Sequence, residues 1–489
     1  MLEEARRRNI GISSFVSVGN KADISGNDLL QYWKHDAETD VILLYLESFG
    51  NPRRFARIAR AVSASKPIIA VKAGRSGSGR RAASSHTAAL ASPDAAVDAL
   101  FAQAGVIRVD TLEEMFDAAQ VLADQPVPSG RRVAIVGNAG GPGILAADAC
   151  EAHGLSVPEL DGQTQAALRS FLPAAAAVSN PVDMVASASA DDYRRALEIV
   201  LGDPSVDAVV VVFVPPLVTV PDDVAAAVSG AAAHPAAATK PIVANFLGMA
   251  TPPAALRAGP AGRGVPSFCF PEPAVRALAR ACDYGDWRRR DPGRPVDPPG
   301  IDPAQGQEVV EAVLASSPGG RWLDPAEAAD LLTAYGIAQP GLELVHSEAA
   351  AVTAALHLGF PVALKAFGPA LLHKTDRGGV RLGLTSADEV DAAYRDMQAA
   401  LGDEMGGAIV QSQLGPGVET IVGVVQDASF GPLVMFGMGG IAVDLIGDRS
   451  FRVLPLTDVD AAELIRSVKG SPLLFGYRNS PAADVGSLE

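Results

Sequence analysis

The sequence is poor in cysteine and in aromatic side chains, and it has no long apolar run. Its three cysteines, Cys150, Cys269 and Cys282, are widely spaced and odd in number. They form neither a disulfide framework nor the paired spacing of a zinc site, so a reducing compartment, the cytoplasm, is expected. Phe, Trp and Tyr make up 5% of the residues, which leaves the cores to Ala, Val, Leu and Ile. No apolar stretch reaches the roughly 18 residues of a membrane-crossing helix. The charged start Met1–Arg8 is not a secretory leader, and no membrane partner is expected. Positive charge is also in deficit, with 40 Lys plus Arg against 56 Asp plus Glu and a net charge of −16. That excludes a nucleic-acid-coating surface but permits local basic pockets for anionic ligands.

What the chain does have is alternation. Residues 1–125 carry continuous apolar runs at Val41–Leu46 and Pro67–Val71, the pattern of parallel strands buried on both faces. A helix is predicted over Arg53–Ser63. Another opens at Ser92-Pro93-Asp94, with an N-cap and a proline at the first helical position, and closes near Gly105. Residues 126–287 repeat the scheme with strands at Val133–Val136, Ala208–Phe213 and Pro241–Phe246. Both blocks therefore read as doubly wound α/β units. The Pro-, Gly- and Arg-rich stretch 288–300 reads as a linker. In residues 301–489 a helix over Pro325–Tyr335 precedes strands at Val362–Ala366, Ala408–Gln411, Val418–Val425 and Leu433–Phe436. The late strands look antiparallel, so this block is α+β.

In open α/β sheets ligands bind beyond the carboxyl ends of the strands, and three unusual segments fall there. Glu47 directly follows the first strand. Lys72-Ala73-Gly74-Arg75 follows the second and runs through a Gly- and Ser-rich tether to Ala83-Ser84-Ser85-His86-Thr87-Ala88-Ala89-Leu90. Imidazole can act as a nucleophile and form a covalent intermediate; phosphate is the cargo this tether suggests, although a plain exposed loop histidine fits the local string equally well. A carboxylate such as Glu47, bonded to one ring nitrogen, fixes the tautomer and strengthens the other nitrogen; it is equally an ordinary strand-end acid. The third segment, Gly137-Asn138-Ala139-Gly140-Gly141-Pro142-Gly143, leads into a helix running through Ile144 to His153. It offers free N–H groups and a positive dipole end to an anion. It matches neither a Walker loop nor the dinucleotide fingerprint, so a plain strand-to-helix turn stays open.

In the third block, Lys365 sits on a strand ahead of His373-Lys374-Thr375-Asp376-Arg377-Gly378-Gly379, a basic turn suited to a triphosphate. Val410-Gln411-Ser412-Gln413 suits a hinge whose backbone reads an adenine, and Glu419 lies on the next strand. Taken singly, Lys365 and His373 are also compatible with a surface lysine and a loop histidine.

These segments together resemble the ADP-forming acyl-CoA synthetases (acetate–CoA ligase, ADP-forming), relatives of succinyl-CoA synthetase. The resemblance covers essentially the whole chain. Ala83–Leu90 is similar to the family's phosphohistidine segment, Tyr45-Leu46-Glu47 to the strand end whose glutamate contacts that histidine, and Asn138–Gly143 to the start of one of two helices aimed at it. Asn180-Pro181-Val182-Asp183 is also similar to a family segment. Leu364-Lys365 and Leu372–Val380 are similar to the ATP-grasp nucleotide site. The resemblance implies two succinyl-CoA ligase-like, flavodoxin-like domains followed by an ATP-grasp domain. It also implies reversible conversion of acyl-CoA, ADP and phosphate into acid, CoA and ATP, with Mg2+ accompanying ATP or ADP and CoA as a substrate. His86 would take the phosphoryl group from an acyl phosphate, His373 would be a second carrier, and Lys365 and Arg377 would neutralise phosphate charge. An oligomer is expected.

Three departures from the family pattern stand out. No Rossmann-like CoA-binding domain precedes Met1, Met1 falls inside a family element, and the magnesium-binding Asp-x-Asn-Pro segment is not reached before Glu489. An internal piece, weak or inactive alone, is therefore expected, and no metal ligand is assigned. The competing reading is a non-catalytic acyl-CoA- or nucleotide-sensing region of a protein lysine acetyltransferase, with the acetyltransferase domain elsewhere in the full gene. Retention of His86, Glu47 and Lys365 favours the catalyst. A third reading is an ATP-grasp ligase that makes acyl phosphates without CoA.

Overall fold

The structure is a computed structural model, and it describes all residues except 20–22, 75–93, 217–218, 250, 258, 260–262, 369–376 and 441–446. The described residues form two compact units, Met1–Pro295 with Thr420–Glu489, and Val296–Glu419. The stretch 301–489, one block in the sequence, is divided between them.

The first unit holds two parallel sheets. Strands β1 (Ile42–Leu46), β2 (Ile68–Lys72) and β3 (Val106–Val109) lie in the order β1-β2-β3. Strands β4 (Val133–Gly137), β5 (Val182–Asp183), β6 (Ala208–Phe213), β7 (Ile242–Phe246) and β8 (Ser267–Phe268) lie in the order β5-β4-β6-β7-β8. Every residue of β2, β4, β6 and β7 is buried, the physical reason for their unbroken apolar runs. The helices Leu112–Asp124, Gly140–Ala152 and Pro271–Arg289 share one apolar core with faces of both sheets. The expected helix after the first strand begins at Pro52. Its N-cap, Asn51, accepts the Arg54 N–H at 2.9 Å. The expected N-cap at Ser92-Pro93 lies outside the described residues, and its helix is described from Asp94 to Ala104.

Gly105, which ends that helix, has φ of +69°, and a Cβ there would lie 2.4 Å from the Trp287 ring. An alanine pays for both left-handed backbone and overpacking, so Gly105→Ala is expected to lower stability by about 2–4 kcal/mol. An unchanged urea midpoint would contradict this packing.

The second unit is built on an antiparallel sheet of β9 (Leu342–Val345), β10 (Val362–Phe367), β11 (Val380–Leu384) and β12 (Gly407–Ser412), in the order β11-β10-β12-β9. Helices Glu348–Leu358 and Ala387–Leu401 contribute to its core. The expected helix Pro325–Tyr335 ends at Ala334 and pairs with a helix the sequence reading missed, Pro303–Ser316.

Beyond Glu419 the chain joins the first unit as an antiparallel sheet of β13 (Thr420–Asp427), β14 (Gly431–Met438) and β15 (Arg449–Val453). Phe430, Leu433 and Val453 enter the core on the other face of the first parallel sheet, where Phe430 meets Phe49 edge-on at 5.8 Å. The Gln103 side-chain amide bonds both the carbonyl and the N–H of Val453, at 3.1 and 2.7 Å. Arg290 reaches Asp460 at 2.9 Å and also pairs with Glu463.

Candidate functional site

At the carboxyl edge of the first sheet, Leu46 pairs with Lys72 and its carbonyl accepts the Ala73 N–H at 2.9 Å. Glu47, one residue beyond that pair, is exposed. Gly74, at φ of +79°, is the last described residue before the segment 75–93. Glu47 therefore stands where the chain leading to His86 leaves the sheet. His86 itself lies outside the described residues.

The glycine-rich segment is partly turn and partly helix. Gly140, Gly141 and Gly143 form the first turn of helix Gly140–Ala152, with Ala139 as N-cap and no side-chain cap. Pro142 has no N–H to offer, so the N–H groups of the exposed Gly140 and Gly141 face the open end with the positive pole of the dipole. Gly137 has a packing reason: a Cβ there would lie 2.7 Å from the Val212 carbonyl oxygen. Asn138 is buried, and its amide donates to the Val214 carbonyl at 2.9 Å while its oxygen accepts the Val214 N–H at 2.8 Å. This side chain ties the ends of β4 and β6 together and so positions the helix start.

The Asn-Pro-Val-Asp segment gains a role that sequence reasoning left blank. The Asn180 side chain accepts the Ile135 N–H at 3.0 Å and donates to the Val133 carbonyl at 2.9 Å, extending the sheet edge beside β4. Asp183, at the end of β5, holds its carboxylate against the helix start, since a Cβ at Gly140 would lie 3.1 Å from Oδ2. The signal for this was an Asn-Pro-Val-Asp string at a strand end, opposite a glycine-rich turn.

In the second unit, Lys365 on β10 pairs with Val380 on β11, and its Nζ donates to Gln411 Oε1 at 2.6 Å. Gly379 lies beside it, with its carbonyl accepting the Ala366 N–H at 2.8 Å. Gly378, at φ of +74°, makes the turn. Lys365, Gly378, Gly379 and Gln411 are thus brought together. Arg377 instead forms a two-pronged pair with Glu404, at 2.8 and 2.9 Å, which holds the Glu404 carboxyl below its ordinary range. Gln413 accepts the Gly383 N–H at 2.5 Å. Glu419 is exposed and precedes β13, so it is not on the strand as expected. His373 lies outside the described residues.

Burial pushes the thiols of Cys150 and Cys282 up to about 12, which leaves them inert as nucleophiles. Among the described residues no helix is long and apolar enough to cross a membrane, and no group of three or more His, Cys, Asp or Glu is placed to hold a metal ion.

Comparison with known proteins adds the following. A family model described as a succinyl-CoA ligase like flavodoxin domain matches residues 1–122, a ligase-CoA domain model matches 133–256, and an ATP-grasp domain model matches 314–489. Over its whole length the chain is 35% identical to acetate–CoA ligase [ADP-forming] I of Archaeoglobus fulgidus and 33% identical to 4-hydroxybutyrate–CoA ligase [ADP-forming] of Nitrosopumilus maritimus, covering 70% of each. Among solved structures it is similar to the dinucleotide forming acetyl-coenzyme A synthetase 1 of Ca. Korarchaeum cryptofilum in complex with phosphate and ADP, at 33% identity and a TM-score of 0.54. That match spans 59% of this chain and 62% of the solved one.

Proposed function

We propose that this chain, which belongs to the ADP-forming acyl-CoA ligase family, is the part of an enzyme that interconverts acyl-CoA, ADP and phosphate with free acid, CoA and ATP, and that it is weak or inactive alone. Its parallel sheets are those of succinyl-CoA ligase-like flavodoxin domains, and an ATP-grasp domain follows them. We propose 1–125, 126–287 and 301–489 as the sequence domains, with 288–300 as the linker, the last domain contributing to both compact units.

The observation that carries this reading is Glu47, exposed one residue past the Leu46–Lys72 pair, where the tether to His86 departs. A phosphate oxygen attacks the thioester carbonyl, and CoA leaves as the thiolate. A ring nitrogen of His86 then attacks phosphorus, and the carboxylate of the acid leaves. Glu47 accepts a hydrogen bond from the other ring nitrogen and stabilises the imidazolium form. The N–H groups of Gly140 and Gly141 bind phosphate oxygens during this transfer, while Asn138 positions the helix. The phosphoryl group passes from His86 to ADP, with His373 as a second carrier. Lys365 and Arg377 neutralise phosphate charge, Gly378 and Gly379 approach the phosphates, and Gln411, Gln413 and Glu419 contact the nucleoside. Arg377 must release Glu404 to do so. Magnesium accompanying the nucleotide would supply further charge neutralisation. We place the reaction in the cytoplasm and the working form as an oligomer.

The experiment that tests this reading is a split. Lys365→Met is expected to lower labelling of the protein from γ-labelled ATP at least about tenfold. Labelling from acyl-CoA plus labelled phosphate should persist. Loss of both together would contradict separate acyl and nucleotide pockets.

A further inference from the structure

We propose a second ligand site in the first unit, outside every residue given a role in the proposed reaction: a cleft of about 1030 Å³ that takes an organic phosphate. It lies between helix Pro52–Ser63, helix Asp94–Ala104 and the chain leaving β15. One wall is basic. Arg53, Arg57 and Arg60 stand at i, i+4 and i+7, on one face of their helix, and Arg54 adjoins them. That row spans about 10 Å at 1.5 Å per residue. The facing wall is apolar, with Leu100, Ala104, Leu454 and Leu456 among its residues.

The charge in the cleft is not compensated. Among the described residues no carboxylate lines it. Among the described residues Arg54 alone of the four has an acidic partner, Asp28 at 2.7 Å. Arg53 and Arg60 donate to the main-chain carbonyls of Phe430 and Pro292, at 3.2 and 2.9 Å. Those bonds fix the guanidinium heads and leave their charge in place. Arg57 makes no hydrogen bond or ion pair with a described residue. Three guanidiniums without an acidic partner among the described residues, in a chain of net charge −16, call for an anion, and the guanidinium fork matches phosphate oxygens.

The walls are also built to stay. Gly431 has φ of +75°, a backbone conformation that favours glycine, and the Arg53 guanidinium occupies the space beside it. Gln103 clamps Val453 from both sides of its peptide. The volume suits a small organic ligand, with its phosphoryl end on the arginines and its body on the leucines.

The test is equilibrium dialysis of the 489-residue chain with labelled ADP and, separately, with labelled pyrophosphate. Arg57→Glu is expected to remove one equivalent of bound ADP, and Arg57→Lys to keep part of the affinity. Leu454→Asp should weaken ADP at least tenfold and leave pyrophosphate unchanged. Lys365→Met lowers the ADP count separately, so failure of the nucleotide site and failure of this one are read apart. An ADP count unchanged by Arg57→Glu would overturn the site. Pyrophosphate binding as tightly as ADP would overturn the organic part of the assignment.

Discussion

Replacing His86 with asparagine is expected to lower conversion of acyl-CoA, ADP and phosphate into ATP by at least about a thousandfold, because the proposed covalent carrier of the phosphoryl group is gone. An amide is similar in size but cannot attack phosphorus at neutral pH. Binding of acyl-CoA and of nucleotide should change little, since the histidine contacts the phosphoryl group in transit. The loss should therefore fall on kcat rather than on KM. Glu47→Gln should cost less, because the nucleophile survives and only its orientation and its charged form lose support. A His86→Asn protein with near-normal turnover would mean that the phosphoryl group moves directly from acyl phosphate to ADP.

The second large effect is structural. Asp460→Ala will destabilise the first unit by about 3–5 kcal/mol, the cost of breaking a buried ion pair. The Asp460 side chain has 0% exposure and holds Arg290, itself 17% exposed, at 2.9 Å. It also closes the capping box with Thr457 at the start of helix Asp458–Arg466. Arg452 lies in the same cluster, where burial pulls its guanidinium below the ordinary range despite the field of Glu463 and Asp460. Removing Asp460 leaves two cations with one acid between them. The double change Arg290→Met with Asp460→Leu should recover most of the loss, since it removes both buried charges together. Urea unfolding measures both. A single variant as stable as the parent would show that the pair does not join the linker arginine to the C-terminal helix.

The parts of the fold legible in the sequence were those written in continuous apolar residues. Strands β2, β4, β6 and β7 are buried on both faces, so each appeared as an unbroken run, within one or two residues of its ends. β3, β5 and β8 were missed because they are short, at 4, 2 and 2 residues. Two or three apolar residues carry no period to read. The return of residues 420–489 to the first unit was hidden for a different reason. It rests on Phe430, Leu433 and Val453 packing across hundreds of residues of chain, and local periodicity says nothing of partners so distant.

The candidate site divides in the same way. Residue types at strand ends marked Glu47, Lys365 and the Gly140 turn, since each follows a strand or lies on one. The partners of those groups were not legible. Glu404 captures Arg377, Val214 engages Asn138, and Asp183 stands beside Gly140, all through contacts that only folding creates. The arginine row on helix Pro52–Ser63 passed unnoticed because charges at i, i+4 and i+7 are also what an ordinary solvated helix face shows.

The central claim is that an imidazole carries the phosphoryl group between two pockets. The most direct measurement is peptide mapping of the protein after a brief exposure to acyl-CoA and labelled phosphate without nucleotide. The label is expected on the peptide containing His86, lost in acid, kept in base, and discharged by adding ADP with magnesium. Label on any other residue, or label on His86 that ADP fails to discharge, would contradict the account.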